Sequence, residues 1–254
     1  MNDEAEKTAV RSLRDATLRE AGFAFLGLGA VQLAAERLGL IAYGEAALAQ
    51  ALFLATAIVV AGAVPAHRPH AVFGWANRVT LVRAALACMI GGLLAGQMGE
   101  GALWLAAAAA LLAIGLDGVD GWIARNSALA SRFGARFDME VDAAMVLFLS
   151  ALLFAPSRVG GWVLLAGLAR YLFVGAGRIV PALRAPLPAS TRRQTICVVQ
   201  GVTLALALAP VVPAPVATGL AAVGTAATLY SFAVDTVWLL RHFEHAKGRP
   251  WPST

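Results

Sequence analysis

Long apolar runs separated by short polar breaks dominate the chain. Runs near residues 21–40, 44–64, 79–97, 101–121, 140–156, 160–180, 194–210 and 216–240 are each close to the length of one membrane crossing. Crossing the hydrocarbon takes about 20 mostly apolar residues in a helix, so the pattern predicts about eight transmembrane helices. Gly, Pro and charge punctuate the runs, as at residues 65–69, 96–101, 156–161, 181–188 and 210–215. The expected fold class is an all-α integral membrane protein. Residues 1–20 read differently. Acidic and basic side chains there surround Val10, Leu13 and Leu18, with no apolar run or small-residue cleavage site of a signal peptide. The segment is expected to be an amphipathic helix lying on the membrane surface or, failing that, a polar tail.

Composition agrees with the pattern. The 254 residues are 59 % apolar and 14 % charged, against about 45–50 % and 25 % in soluble domains. Mean hydropathy is +0.73. A net charge of +5 would suit a nucleic-acid partner, but basic residues in so apolar a chain are better read as flanks of membrane spans, and no nucleic acid is expected. With the amino terminus inside, the predicted spans place eighteen of the twenty Lys and Arg residues at inner loops and leave only Arg37 and Arg158 outside. That asymmetry puts both termini on the cytoplasmic side. Cys88 and Cys197 sit within apolar runs and read as small buried hydrophobes.

Candidate chemistry is concentrated in residues 117–142. Asp117, Asp120, Gly121, Ala124, Arg125, Gly134, Asp138 and Asp142 form D-x2-D-G-x2-A-R-x8-G-x3-D-x3-D. Eight fixed residues would coincide by chance on the order of once in 10⁹ starting positions. Asp117, Asp120 and Gly121 share one helical face at the inner end of the fourth span. Gly134, Asp138 and Asp142 recur every four residues at the start of the fifth. A short hairpin between the spans sets these faces against each other, so four carboxylates converge near the cytoplasmic edge of the bilayer. Such a cluster in lipid calls for a cation. Hard oxygen ligands without nearby His or Cys point to Mg²⁺ or Mn²⁺. The alternative is simple pairing with Arg125, Arg132 and Arg136.

This motif resembles the signature of the CDP-alcohol phosphatidyltransferases, integral membrane enzymes of phospholipid synthesis. Asn77, Thr80 and Arg83, as N-x2-T-x2-R, add a second resemblance where many members open their first core helix. The family's six-helix core would occupy residues 71–245, preceded by the segment 1–20 and a two-helix extension over 21–70, and followed by a cytoplasmic tail over 246–254. The resemblance implies transfer of a phosphatidyl group from CDP-diacylglycerol to a polar alcohol with release of CMP. It implies that Asp117, Asp120 and Asp138 bind the metal, while Asp142 completes the cluster and acts as general base. Gly121, Ala124 and Gly134 would line the nucleotide pocket with Arg125 near its phosphates, and Asn77 and Thr80 would add polar contacts to the CDP moiety. A homodimer in contact with membrane lipid is implied, in a bacterial inner (plasma) membrane with the active site cytoplasmic.

Other polar residues bear on the acceptor. Arg170 stands near the middle of the sixth span, where a cation should face a cavity or a partner, and Arg193 opens the seventh. Together they suggest a pocket for an acceptor phosphate, as in glycerol 3-phosphate or then inositol phosphate, with serine or another unphosphorylated alcohol as the alternative. Asp235 is expected to pair with an arginine of the site rim, to tune the acceptor pocket, or to form a purely structural ion pair. Glu140 points away from the Asp138 face. His67, His70, His242 and His245 read as surface histidines. Gly92 and Gly96 suit close helix packing, within the chain or between copies. A divalent-cation transporter is the rival from another functional class, though residues 106–112 carry no polar group to continue a path.

Overall fold

The computed structural model describes residues 3–246 except 69, 71, 127, 128, 130, 156 and 157. Among the described residues eight α-helices run in chain order: α1 (Asp3–Arg37), α2 (Tyr43–Ala63), α3 (Trp75–Gly92), α4 (Glu100–Asn126), α5 (Arg132–Phe154), α6 (Leu164–Ile179), α7 (Thr191–Leu208) and α8 (Ala214–Ala246). No strand occurs among the described residues. The segments Tyr43–His67, Trp75–Ala95, Glu100–Ile123, Gly161–Ile179 and Ala214–His242 are long and apolar enough to cross a membrane. The other three expected spans fall on α1, α5 and α7, which carry charged stretches along part of their length. Large apolar side chains such as Phe23, Ile58, Val59, Leu112 and Leu172 are exposed, as a lipid-facing surface requires.

One expected boundary is absent. Residues 3–20 and the first span do not form separate elements: α1 is continuous from Asp3 to Arg37. At 1.5 Å per residue it is about 50 Å long, well beyond a hydrocarbon core of about 30 Å. Leu13 and Thr17 in its first half are fully buried, and Arg14 Nε donates to the Ala61 carbonyl at 3.1 Å. Helix α2 and the turn after it pack against this part of α1.

Helix packing relies on small residues, because lipid supplies no hydrophobic force to press helices together. A Cβ at Gly92 would stand 2.5 Å from the Glu45 carbonyl oxygen, and one at Gly96 2.0 Å from Glu45 Oε1. The Gly92/Gly96 pair therefore seats α2 against α3 within this chain. Similarly, a Cβ at Gly167 would stand 2.5 Å from Leu147 Cα, which brings α6 onto α5. Helix α3 packs against α1, α2, α4 and α5, α7 packs against α4, α5 and α8, and α6 lies against α5 and α8. The start of α3, the end of α4 and the start of α5 meet at one end of the bundle, where ion pairs also join α5 to α6 and the start of α7 to α8.

Candidate active site

At that end the four motif carboxylates surround one guanidinium. Arg83, on α3, is 1 % exposed, and its Nη2 lies 2.8 Å from Asp117 Oδ1 while its Nη1 lies 2.7 Å from Asp120 Oδ2. The same group pairs with Asp138 through Nη1 and with Asp142 through Nη2. A planar group with several fixed donors can serve four acceptors at once, which a lysine ammonium could not do in one plane. Thr80, one helical turn earlier, donates to Asp120 Oδ2 at 3.0 Å. The carboxylates are thus drawn to Arg83, not to Arg132 or Arg136, both exposed.

Arg83, in the N-x2-T-x2-R motif with Asn77 and Thr80, is a site residue that the sequence motif alone does not assign. The signal was present, since Arg83 follows Thr80 by three residues and shares its face. Its partners, however, lie on two other helices.

The cluster suits a divalent cation. Carboxylate oxygens of Asp117, Asp120 and Asp138 lie within 4.8 Å of one another, and all are hard donors. Four carboxylates against one guanidinium leave three formal negative charges in a partly buried place, of which a divalent cation would offset two.

The glycine and Asn77 positions meet at the same place. A Cβ at Gly134 would sit 2.9 Å from Asn77 Oδ1, so any larger residue there would have to displace the Asn77 side chain. Asn77 itself donates to the Phe73 carbonyl from Nδ2 and is 5 % exposed. Ser131 caps α5 by accepting the Gly134 N–H at 3.0 Å. Gly121 follows Asp120 on α4 and is half-buried. The side chains of Ala124 and Arg125, expected at the nucleotide, lie outside the described residues.

His67 departs from expectation most clearly. Expected at the surface, it is completely buried, with Nδ1 2.6 Å from Ser131 Oγ and Nε2 3.0 Å from the Val72 carbonyl. Its ring packs edge-on against Phe133, with centroids 5.7 Å apart. A polar neighbourhood in sequence concealed a buried position in space. His70 is half-buried beside it, His242 is exposed and stacked on Trp238, and the side chain of His245 lies outside the described residues.

Beside the acid cluster, helices α5 to α8 enclose a cavity of about 480 Å³ whose wall includes Asp142, Arg170, Arg193, Cys197 and Asp235. Arg170 is held by Glu140, Nη2 to Oε1 2.7 Å. Glu140, outside the carboxylate cluster, thus steadies the arginine on the next helix. Asp235 pairs with both Arg192 and Arg193, the latter at 3.3 Å, and Arg192 Nη1 also donates to the Ser231 carbonyl and hydroxyl, each at 2.9 Å. Arg184 folds back to the Gly177 and Arg178 carbonyls, capping the end of α6 away from the cavity. Cys197 is not a simple buried hydrophobe. It lines the cavity, and its thiol lies 3.5 Å from Asp142 Oδ2.

A family model described as CDP-alcohol phosphatidyltransferase matches residues 73–234, from just before α3 into α8 and well over half of the chain. No curated protein and no solved structure matches. The match includes Asn77, Arg83, the four motif carboxylates, Glu140, Arg170, Arg192 and Arg193, and ends one residue before Asp235. The chain belongs to the CDP-alcohol phosphatidyltransferase family, transferases of phospholipid synthesis embedded in the membrane.

Proposed function

We propose that this protein transfers the phosphatidyl group of CDP-diacylglycerol to a phosphorylated polar alcohol, of which glycerol 3-phosphate is the first candidate and inositol phosphate the second. The observation that supports this reading is the double position of Asp142. It belongs to the acid cluster around Arg83 and to the wall of the cavity that carries Arg170 and Arg193.

In this reading Asp117, Asp120, Asp138 and Asp142 hold Mg²⁺ or Mn²⁺. When bound, the ion offsets charge on the pyrophosphate and on departing CMP. Gly134 packs closely against Asn77, and the two border the nucleotide together with Gly121, Ala124 and Arg125 of α4. Arg170 and Arg193, fixed by Glu140 and Asp235, orient the acceptor phosphate by paired N–H donors. Asp142 accepts the proton of the acceptor hydroxyl as its oxygen attacks the phosphatidyl phosphorus. One P–O bond forms to the acceptor while the bond from that phosphorus to the bridging oxygen breaks, and the bridging oxygen leaves with CMP.

The deciding assay uses detergent-purified protein, CDP-diacylglycerol, Mg²⁺ or Mn²⁺ and a panel of alcohols, scored by CMP and by lipid product. Turnover with glycerol 3-phosphate or inositol phosphate supports the reading. Turnover with serine alone moves the acceptor to the unphosphorylated class. No product from any alcohol, with metal flux in liposomes, replaces the enzyme with a cation transporter. Buried α4 positions on the far side of the cluster are alanine, as at Ala102, Ala106, Ala109 and Ala110, which disfavours a polar path through the bundle.

A further inference from the structure

We infer that His67, which lies outside the matched family region, is a positioning residue for the nucleotide site and that the amino-terminal extension is thereby part of the catalytic architecture. The inference rests on the reading of Gly134 and Asn77 as nucleotide contacts.

His67 ends the 3-10 turn Val64–His67 that follows α2. The Val72 carbonyl can only accept, so Nε2 carries the proton of the neutral ring and Nδ1 is left to accept from the Ser131 hydroxyl. Ser131 in turn accepts the Gly134 N–H. The result is a directed chain from Gly134 N–H to Ser131 Oγ to His67 Nδ1, ending at Val72. Each hydrogen bond polarises the next, and the buried ring has no water to substitute for a lost partner.

The position of this chain gives it leverage. It fixes the first turn of α5, the helix that presents Gly134, Asp138 and Asp142 at four-residue intervals. Gly134 has no slack, because even a Cβ would stand 2.9 Å from Asn77 Oδ1. Helix α1 packs along the same 3-10 turn, so both extension helices back the ring that holds the cap. A shift of this turn by a fraction of an ångström would move Gly134 against Asn77 and carry Asp138 with it.

The test measures the affinity of CDP with Mg²⁺ for the full-length, detergent-purified protein by calorimetry, alongside the melting temperature. The variants are His67→Phe, Ser131→Ala, their combination, and His67→Asn, whose amide oxygen can replace Nδ1 as acceptor. We expect His67→Phe and Ser131→Ala each to weaken CDP binding by about tenfold, and the double variant to do no worse than either alone, the mark of one coupled unit. His67→Asn should recover affinity to within about threefold of the parent protein. Losses that multiply in the double variant, or a lower melting temperature with CDP affinity unchanged, would overturn the inference. Failure of the parent protein itself to bind CDP would instead refute the proposed function, and this inference with it.

Discussion

Thr80 and Asp120 are joined across two helices by a 3.0 Å hydrogen bond, and the Asp120 oxygen that accepts it is the one Arg83 holds at 2.7 Å. Asp120 is only 4 % exposed, so its carboxylate depends on these two donors for the hydration it lacks. Replacing Thr80 by Val keeps the shape and removes one donor. The expected cost is about 1–3 kcal/mol in stability, read as a lower melting temperature that Mn²⁺ partly restores. A melting temperature unchanged in metal-free buffer would show that the bond contributes nothing.

Arg83→Gln removes the only charge that the described residues set among four carboxylates. Breaking a buried ion network by deleting one partner costs about 3–5 kcal/mol. The variant should therefore be strongly destabilised without divalent metal, and its melting temperature should rise more steeply with added Mg²⁺ or Mn²⁺ than that of the parent. Equal metal-induced shifts in the two proteins would argue against Arg83 as the counter-ion of the cluster.

Asp142→Asn keeps size and polarity but cannot accept a proton. Turnover should fall by about 10²–10⁴-fold while CDP binding in calorimetry changes little. If CDP binding is lost in parallel with turnover, the residue serves the metal rather than the acceptor.

Gly134→Ala forces a methyl group to within 2.9 Å of Asn77 Oδ1. Asn77 is buried and tied to Phe73, so it cannot swing clear at low cost. The KM for CDP-diacylglycerol should rise by about tenfold with a smaller change in the acceptor KM. Steady-state kinetics with each substrate varied in turn separates the two.

Arg170→Ala should raise the acceptor KM and spare that of CDP-diacylglycerol, because Arg170 lines the cavity and lies outside the Arg83 cluster. Glu140→Gln, which leaves the arginine but loosens its anchor, should give a smaller shift in the same direction. Equal effects on both substrates would remove Arg170 from the acceptor pocket.

Helical spacing is a local property, and whatever depends on it could be read directly from the chain. Asp117 with Asp120, and Gly134 with Asp138 and Asp142, declare their shared faces through intervals of three and four residues. The apolar runs likewise declare eight helices, of which five are long and apolar enough among the described residues to cross a membrane. The same local logic missed Arg83 as the centre of the cluster, since its four partners stand on α4 and α5 and meet it only after α3 packs between them. His67 reads as a surface residue because nothing in the polar stretch around it signals that Ser131 and Phe133, at the start of α5, meet the ring or that α1 packs on its 3-10 turn. Glu140 and Arg170, thirty residues apart, were read separately and prove to be one ion pair. Burial and pairing between helices are set by which small residues let backbones approach, as Gly92 does for α2 and Gly167 for α5. Those contacts join residues distant in sequence, and no periodicity along a single helix encodes them.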